Sequence, residues 1–175
     1  MKELLIGCGS KRNKRVSMNG QYEWSNLTTL DLNPDHKPDL VYDLMNLPLP
    51  FGNDVFDEIH AYEVLEHIGS QGDYKTFFNQ FSEFWRILKP DGFFCATVPS
   101  VKSPWAWADP SHSRVIPVET LVFLDQDAYT QFIGNGPMSD FRYLYKSDFR
   151  KEFAQDDDTT LAFALRAIKP SRISI

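Results

Sequence analysis

The apolar positions of this chain recur with two different spacings. Short runs at residues 4–6, 27–32, 39–44, 55–62 and 93–98 are bounded by glycine, proline, asparagine or charged residues. Runs of that length, rich in branched and aromatic side chains, predict strands, and the more continuous ones predict strands buried on both faces. Over residues 73–89 the spacing changes. Phe77, Phe78, Phe81, Phe84, Trp85 and Leu88 repeat every three to four positions, while Lys75, Asn79, Gln80, Glu83 and Arg86 take the other side. This is one apolar face of an α-helix, begun by Asp73 as N-cap and stopped by Lys89-Pro90-Asp91-Gly92. The aromatic stripe reads as core packing.

The remaining segments are less periodic. Residues 10–26 contain Lys11-Arg12-Asn13-Lys14-Arg15 and no amphipathic repeat, so they predict a loop, with the basic run solvated or clamping an anionic group. Leu47-Pro48-Leu49-Pro50-Phe51 must be extended, because the prolines forbid a helix. Residues 63–68 predict a loop or short helical turn, 100–113 a loop, and 118–125 a helix. Residues 141–145 are β-prone, and 159–168 read as a last strand with Asp156-Asp157-Asp158 in the hairpin turn before it. The sum is seven strands with helices among the early ones: an α/β sheet, mostly parallel, closing in a C-terminal antiparallel hairpin, with the first helix reduced.

Size and charge narrow the picture. The 175 residues suit one domain over the whole span, 1–175. No apolar run approaches the ~18 residues of a membrane span, so no membrane partner and a cytoplasmic location are expected. Cys8 and Cys95 show neither metal-ligand nor redox spacing. The net charge of −6 disfavours nucleic acid as a partner.

The chemistry begins at Gly7-Cys8-Gly9, where the first apolar run breaks. Glycines there permit a sharp turn and let a ligand reach the backbone. Asp31 closes the second predicted strand about 20 positions on, where an acidic residue accepts hydrogen bonds from ribose hydroxyls in nucleotide-binding α/β units. A nicotinamide-type fingerprint would need a third glycine at position 12, where Arg12 stands.

Together with Leu30-Asp31-Leu32-Asn33-Pro34, Phe56-Asp57-Glu58-Ile59, Val64-Leu65-Glu66-His67 and Arg86-Ile87-Leu88-Lys89-Pro90-Asp91-Gly92, these pieces resemble the class I S-adenosylmethionine-dependent methyltransferases of the small bacterial type 11-like kind. The resemblance covers roughly residues 2–125 and implies a Rossmann-like fold with S-adenosylmethionine as cofactor. It implies that Gly7 and Gly9 admit the cofactor's amino acid end and that Asp31 binds its ribose. Asp43 and Leu44 would meet the adenine, and Tyr62 and Glu63 would border the methionine part. Many relatives carry an acid where Leu5 stands, and Glu3 is displaced from that position. The bare N-terminal region leaves the pocket less covered, or covered by a second copy of the chain.

The expected activity is methyl transfer to a small-molecule or sugar-like acceptor at oxygen. The alternative is an inactive protein of the same fold that binds a ligand or partner. An oxygen acceptor must lose its proton, and the candidate bases are His67 and His112, with Glu66 and Asp109 either to orient them or to serve as bases. His112 reads equally as a loop residue hydrogen-bonded to Asp109. Trp105 and Trp107 are either a wall of the acceptor site or plain hydrophobic cover. The histidines as a metal pair with the two acids are the weakest reading, and no metal is expected.

Overall fold

The computed structural model describes residues 1–173; positions 174 and 175 of the expected domain span lie outside the described residues. The chain runs β1 (Lys2–Ile6), β2 (Asn26–Asp31), β3 (Leu40–Val41), β4 (Phe56–Tyr62), α1 (Tyr74–Ile87), β5 (Leu88–Pro99), α2 (Trp105–Ala108), α3 (Gln126–Phe132), β6 (Phe149–Asp156) and β7 (Thr160–Ala167), with short 3-10 turns at Leu65–His67 and Val118–Leu124. The strands form one sheet of order β3-β2-β1-β4-β5-β7-β6. The first five pair in parallel, and β7 returns antiparallel between β5 and β6. This is the expected seven-stranded Rossmann-like sheet with its terminal hairpin. Among the described residues no helix lies between β1 and β2.

Strand alternation sorts the side chains onto two faces. Leu4, Ile6, Ile59, Ala61, Phe94, Ala96 and Val98 face α1, whose Phe77, Phe78, Phe81, Phe84 and Ile87 complete the main core. Asp73 caps α1 by accepting the Thr76 N–H at 3.1 Å, as expected. Phe84 stacks on Phe94 with ring centroids 4.8 Å apart.

The opposite face is built differently. Leu5, Cys8, Val16, Tyr62 and Cys95 make a small second cluster covered by the loop after β1. That loop is held by polar groups that the same alternation points toward it. Lys14, buried, pairs with Glu3 at 2.7 Å and with Glu58 at 2.6 Å. Glu58 also meets His60 Nε2 at 3.0 Å, and His60 Nδ1 lies 2.7 Å from the Tyr62 hydroxyl. That hydroxyl accepts the backbone N–H groups of Arg15 and Val16. Glu3 accepts the Ser25 N–H as well. Each carboxylate is thus multiply bonded, the condition under which buried charges are tolerated. The basic run is therefore not simply a solvated loop: Lys14 is its anchor.

Several local expectations need correction. The third strand is only two residues long. α1 ends at Ile87, and Lys89-Pro90-Asp91-Gly92 begins β5 instead of lying between elements, because buried Leu88 already pairs across the sheet with Phe56. Residues 141–145 form a turn: Phe141 packs on Tyr74 and Phe78 instead of pairing in the sheet. The sixth strand is Phe149–Asp156, α2 forms where a loop was expected, and the helix expected over 118–125 is the 3-10 turn Val118–Leu124.

Candidate active site at the carboxyl edge of the sheet

The five parallel strands end on one edge. Strand order reverses between β1 and β4, so the loops leaving that pair diverge and open a cleft. Gly7 and Gly9 leave β1 with φ of +57° and +53°, conformations that cost a side-chain-bearing residue energy. A Cβ on Gly7 would collide with Val64 Cγ2, whereas one on Gly9 would meet nothing within 4 Å among the described residues. Gly7 thus docks the turn onto the segment after β4, and Gly9 borders open space. The cleft beside them holds about 240 Å³ and is lined by Leu5, Gly7, Gly9, Arg15, Tyr62 and Glu63, among others.

Asp31 ends β2 next to this turn. Its Oδ2 accepts the Gly9 N–H at 2.8 Å, and its Oδ1 accepts the Asn33 N–H at 2.8 Å; His36 Nδ1 lies 3.2 Å away. Burial works to raise its pKa, but the two backbone donors and His36 outweigh it and hold the carboxyl below its usual range. Asp43 accepts the Met45 N–H at 2.8 Å through one oxygen. Leu44 is buried in the main core, and its carbonyl accepts from Gln80 of α1. Both are thereby fixed just past β3.

The residues after β4 separate in role. Tyr62 spends its hydroxyl on the loop after β1, so only its ring borders the cleft. Glu63, at φ +54°, places its carboxylate 3.8 Å from Arg15. Leu5 sits in the cleft wall, and Glu3 is committed to Lys14, so neither supplies the acid many relatives place here. Glu63 is the carboxylate that lines the cleft.

Beyond Glu63, the turn Leu65–His67 and the loop after α2 bring His67 and His112 together, ring centroids 4.8 Å apart. Two backbone bonds clamp these segments: Ser113 N–H and Arg114 N–H both donate to the Glu66 carbonyl, at 3.0 and 3.1 Å. His67 Nδ1 lies 3.1 Å from the Ser111 carbonyl and His112 Nδ1 2.9 Å from the Trp105 carbonyl. A carbonyl only accepts, so each Nδ1 carries a proton, and in the neutral form of such a ring Nε2 is the lone-pair acceptor. His112 Nε2 faces Glu66 Oε1 and Asp109 Oδ2, both at 3.9 Å. The His112 ring makes no hydrogen bond to the Asp109 carboxylate, but its backbone N–H donates to the Asp109 carbonyl at 3.1 Å; the ring itself is held through Trp105. Trp105 and Trp107 themselves are largely exposed. Glu66 is buried, and neither of its carboxylate oxygens has a hydrogen-bond partner. Burial first, then repulsion from Glu63 and Asp109, pushes its pKa up to about 8. Its burial was not legible beforehand; a glutamate beside a histidine in a turn carries no signal of depth.

A family model described as a methyltransferase domain matches residues 4–96. Among solved structures the fold is similar to that of a SAM-dependent methyltransferase from Archaeoglobus fulgidus, at 15% identity and TM-score 0.60, covering 94% of this chain and 85% of that one. It is similar to an S-adenosylmethionine-dependent methyltransferase from Mesorhizobium loti, at 16% identity and TM-score 0.55, with 94% and 90% covered. It also matches the N-methyltransferase NodS from Bradyrhizobium japonicum, at 13% identity and TM-score 0.54, with 96% and 86% covered. No curated protein matches the chain by sequence.

Proposed function

The chain belongs to the methyltransferase-domain family, S-adenosylmethionine-dependent enzymes, and from that premise we propose that it methylates an oxygen atom of a small-molecule or sugar-like acceptor. The family match does not favour the alternative of an inactive binding protein.

The residues present suit the cofactor. When bound, S-adenosylmethionine supplies a methyl group already activated on a sulfonium. The open space over Gly9 takes the backbone-facing amino acid end, with Glu63 for its ammonium and Arg15 and Lys11 for its carboxylate. Asp31, ionised and still holding spare lone pairs, accepts from the ribose hydroxyls. Asp43 accepts from the adenine amino group, and the Leu44 backbone lies along the ring. Tyr62 contributes a wall. A second copy of the chain is the proposed cover for the side of the pocket that lacks a helix.

The observation that supports an oxygen acceptor is the pairing of His67 and His112, ring centroids 4.8 Å apart and each with Nδ1 on a backbone carbonyl, which leaves Nε2 of each ring free of that bond. A neutral imidazole can take a hydroxyl proton near neutral pH. Alignment and exclusion of water do the rest. The net charge of −6 weighs against a phosphate-rich acceptor.

Two measurements test this. Calorimetry with S-adenosylhomocysteine should show binding that Asp31→Ala weakens at least about tenfold, the loss expected for charge-assisted hydrogen bonds; no binding to the unaltered protein would end the reading. With a hydroxylated acceptor found by labelled-methyl screening, His67→Ala or His112→Ala should slow turnover by about 10²–10⁴. Unchanged turnover in both would end the proton-acceptor role.

A further inference from the structure

We propose that Glu66, His67 and His112, with Asp109 at the rim, form a binding site for a first-row divalent metal ion such as zinc or manganese. Its role in transfer rests on the methyltransferase reading; the site itself rests on geometry.

One ligand atom from each of Glu66, His67 and His112 lies within 4.8 Å of the other two. A cation about 2.0–2.2 Å from each would hold such atoms about 4 Å or less apart, so small rotations complete the contact. Both imidazoles already hold the proton arrangement it needs. Each Nδ1–H is spent on a backbone carbonyl, the supporting bond that metal-ligating histidines make, which leaves Nε2 as the ligand. The two segments are clamped by the backbone bonds to the Glu66 carbonyl, so the arrangement does not depend on the ion to assemble.

The unpartnered Glu66 is the second observation. It is only 2% exposed, and among the described residues both of its oxygens lack a hydrogen bond. Buried polar groups are nearly always paired, and an exception asks for an explanation. The chain's other cluster of this type shows what a complete one looks like. Glu3, Glu58 and His60 also converge, and there Lys14 places its ammonium between the carboxylates. No side-chain cation does this for Glu66 among the described residues. Arg114 lines the same small cavity as Glu66, but it donates through Nη2 to the carbonyls of Ser70 and Asp73, and its buried Nε makes no bond to Glu66. The site has the carboxyl groups and lone pairs of a cation site, with no side-chain cation paired to Glu66 among the described residues.

Two imidazoles beside one or two carboxylates favour a first-row transition ion over magnesium or calcium, which prefer all-oxygen shells. Such a site keeps positions open for an acceptor hydroxyl. A bound cation would lower that hydroxyl's pKa. The proton then leaves to solvent, the oxygen pair forms the new C–O bond, and the C–S pair returns to sulfur. In this form the histidines hold the ion instead of taking the proton.

Chelator-stripped protein titrated with Zn²⁺, with Mn²⁺ and with Mg²⁺ as control decides the matter. The expected result is one equivalent of Zn²⁺ or Mn²⁺ bound, weakened by more than about tenfold in His112→Ala and in Glu66→Gln, since even losing a supporting partner costs that much. Co²⁺ substitution should give a visible absorption band that His67→Ala, a change at an exposed side chain, removes. S-adenosylhomocysteine binding is measured on the same samples and confirms that each variant is folded. Intact S-adenosylhomocysteine binding with no stoichiometric metal, or metal binding unchanged in all three variants, overturns the metal site and leaves the methyltransferase reading standing. Loss of S-adenosylhomocysteine binding by the unaltered protein overturns that reading, while the titration still reports on the metal.

Discussion

At Gly7 an added methyl group would collide with Val64, while at Gly9 it would project into open space. Both residues share a left-handed backbone, which costs an alanine roughly 1–2 kcal/mol. Gly7→Ala should therefore lower the melting temperature well beyond that strain, because the turn must leave the segment after β4. Gly9→Ala should cost only about the strain but weaken S-adenosylhomocysteine binding, since its methyl occupies the ligand's space. Thermal melts and calorimetry on the pair check this; equal destabilisation by both would refute the division of roles. The glycine pattern was legible in the sequence. Which glycine serves packing and which serves the ligand was not, because Val64 lies far along the chain.

At the scale of elements, the loop after β1 does the work of the missing first helix by polar anchoring. Lys14 sits between two carboxylates that the pleat of β1 and β4 turns toward it. Lys14→Ala would leave Glu3 and Glu58 buried without their cation, and breaking such a group costs about 3–5 kcal/mol, readable as a lower urea midpoint. The same network sets a pH dependence. Burial depresses His60 below its ordinary 6.5 despite Glu58 beside it, so the unfolded histidine takes a proton that the folded one refuses. Stability falls as pH drops through about 6.5. Glu58, held below its ordinary 4.5 because His60 and Lys14 outweigh its burial, adds a further loss as pH falls below that value. His60→Gln should flatten the upper part of this decline, and an unchanged slope between pH 7 and 5.5 would count against it. α1 was legible because its apolar stripe repeats at the helical period. β6 was not: Arg150, Lys151 and Glu152 are exposed on an edge strand, and such charges guard an edge while hiding its strand pattern.

Across the whole molecule, the C-terminal segment ties distant parts together. Arg172 pairs with fully buried Asp148 at 2.7 Å and with Asp125 at 2.9 Å, and also contacts Asp127. Asp125 caps α3, so one guanidinium joins the tail, α3 and the approach to β6. Arg172→Ala should destabilise by about 3 kcal/mol, the scale for uncovering a buried charge, with hydrogen exchange rising first in α3 and β6. A uniform change across the sheet would contradict that. The aromatic turn at Phe141 follows the same logic. Its apolar content was visible, but only the cleft beside α1 decided that the ring packs there instead of joining the sheet.

The sequence by itself determined the parallel strands, the last strand, the long helix, the glycine turn and the acidic residue closing β2. These depend on periodicity, turn chemistry and spacing, all local properties of the chain. Only the tertiary structure decided which charged groups are buried and what they meet. Lys14 found two carboxylates from different strands, and Glu66 found two imidazoles and no counter-charge. A side chain's electrostatic surroundings come from residues brought together across long separations, and no local pattern records them.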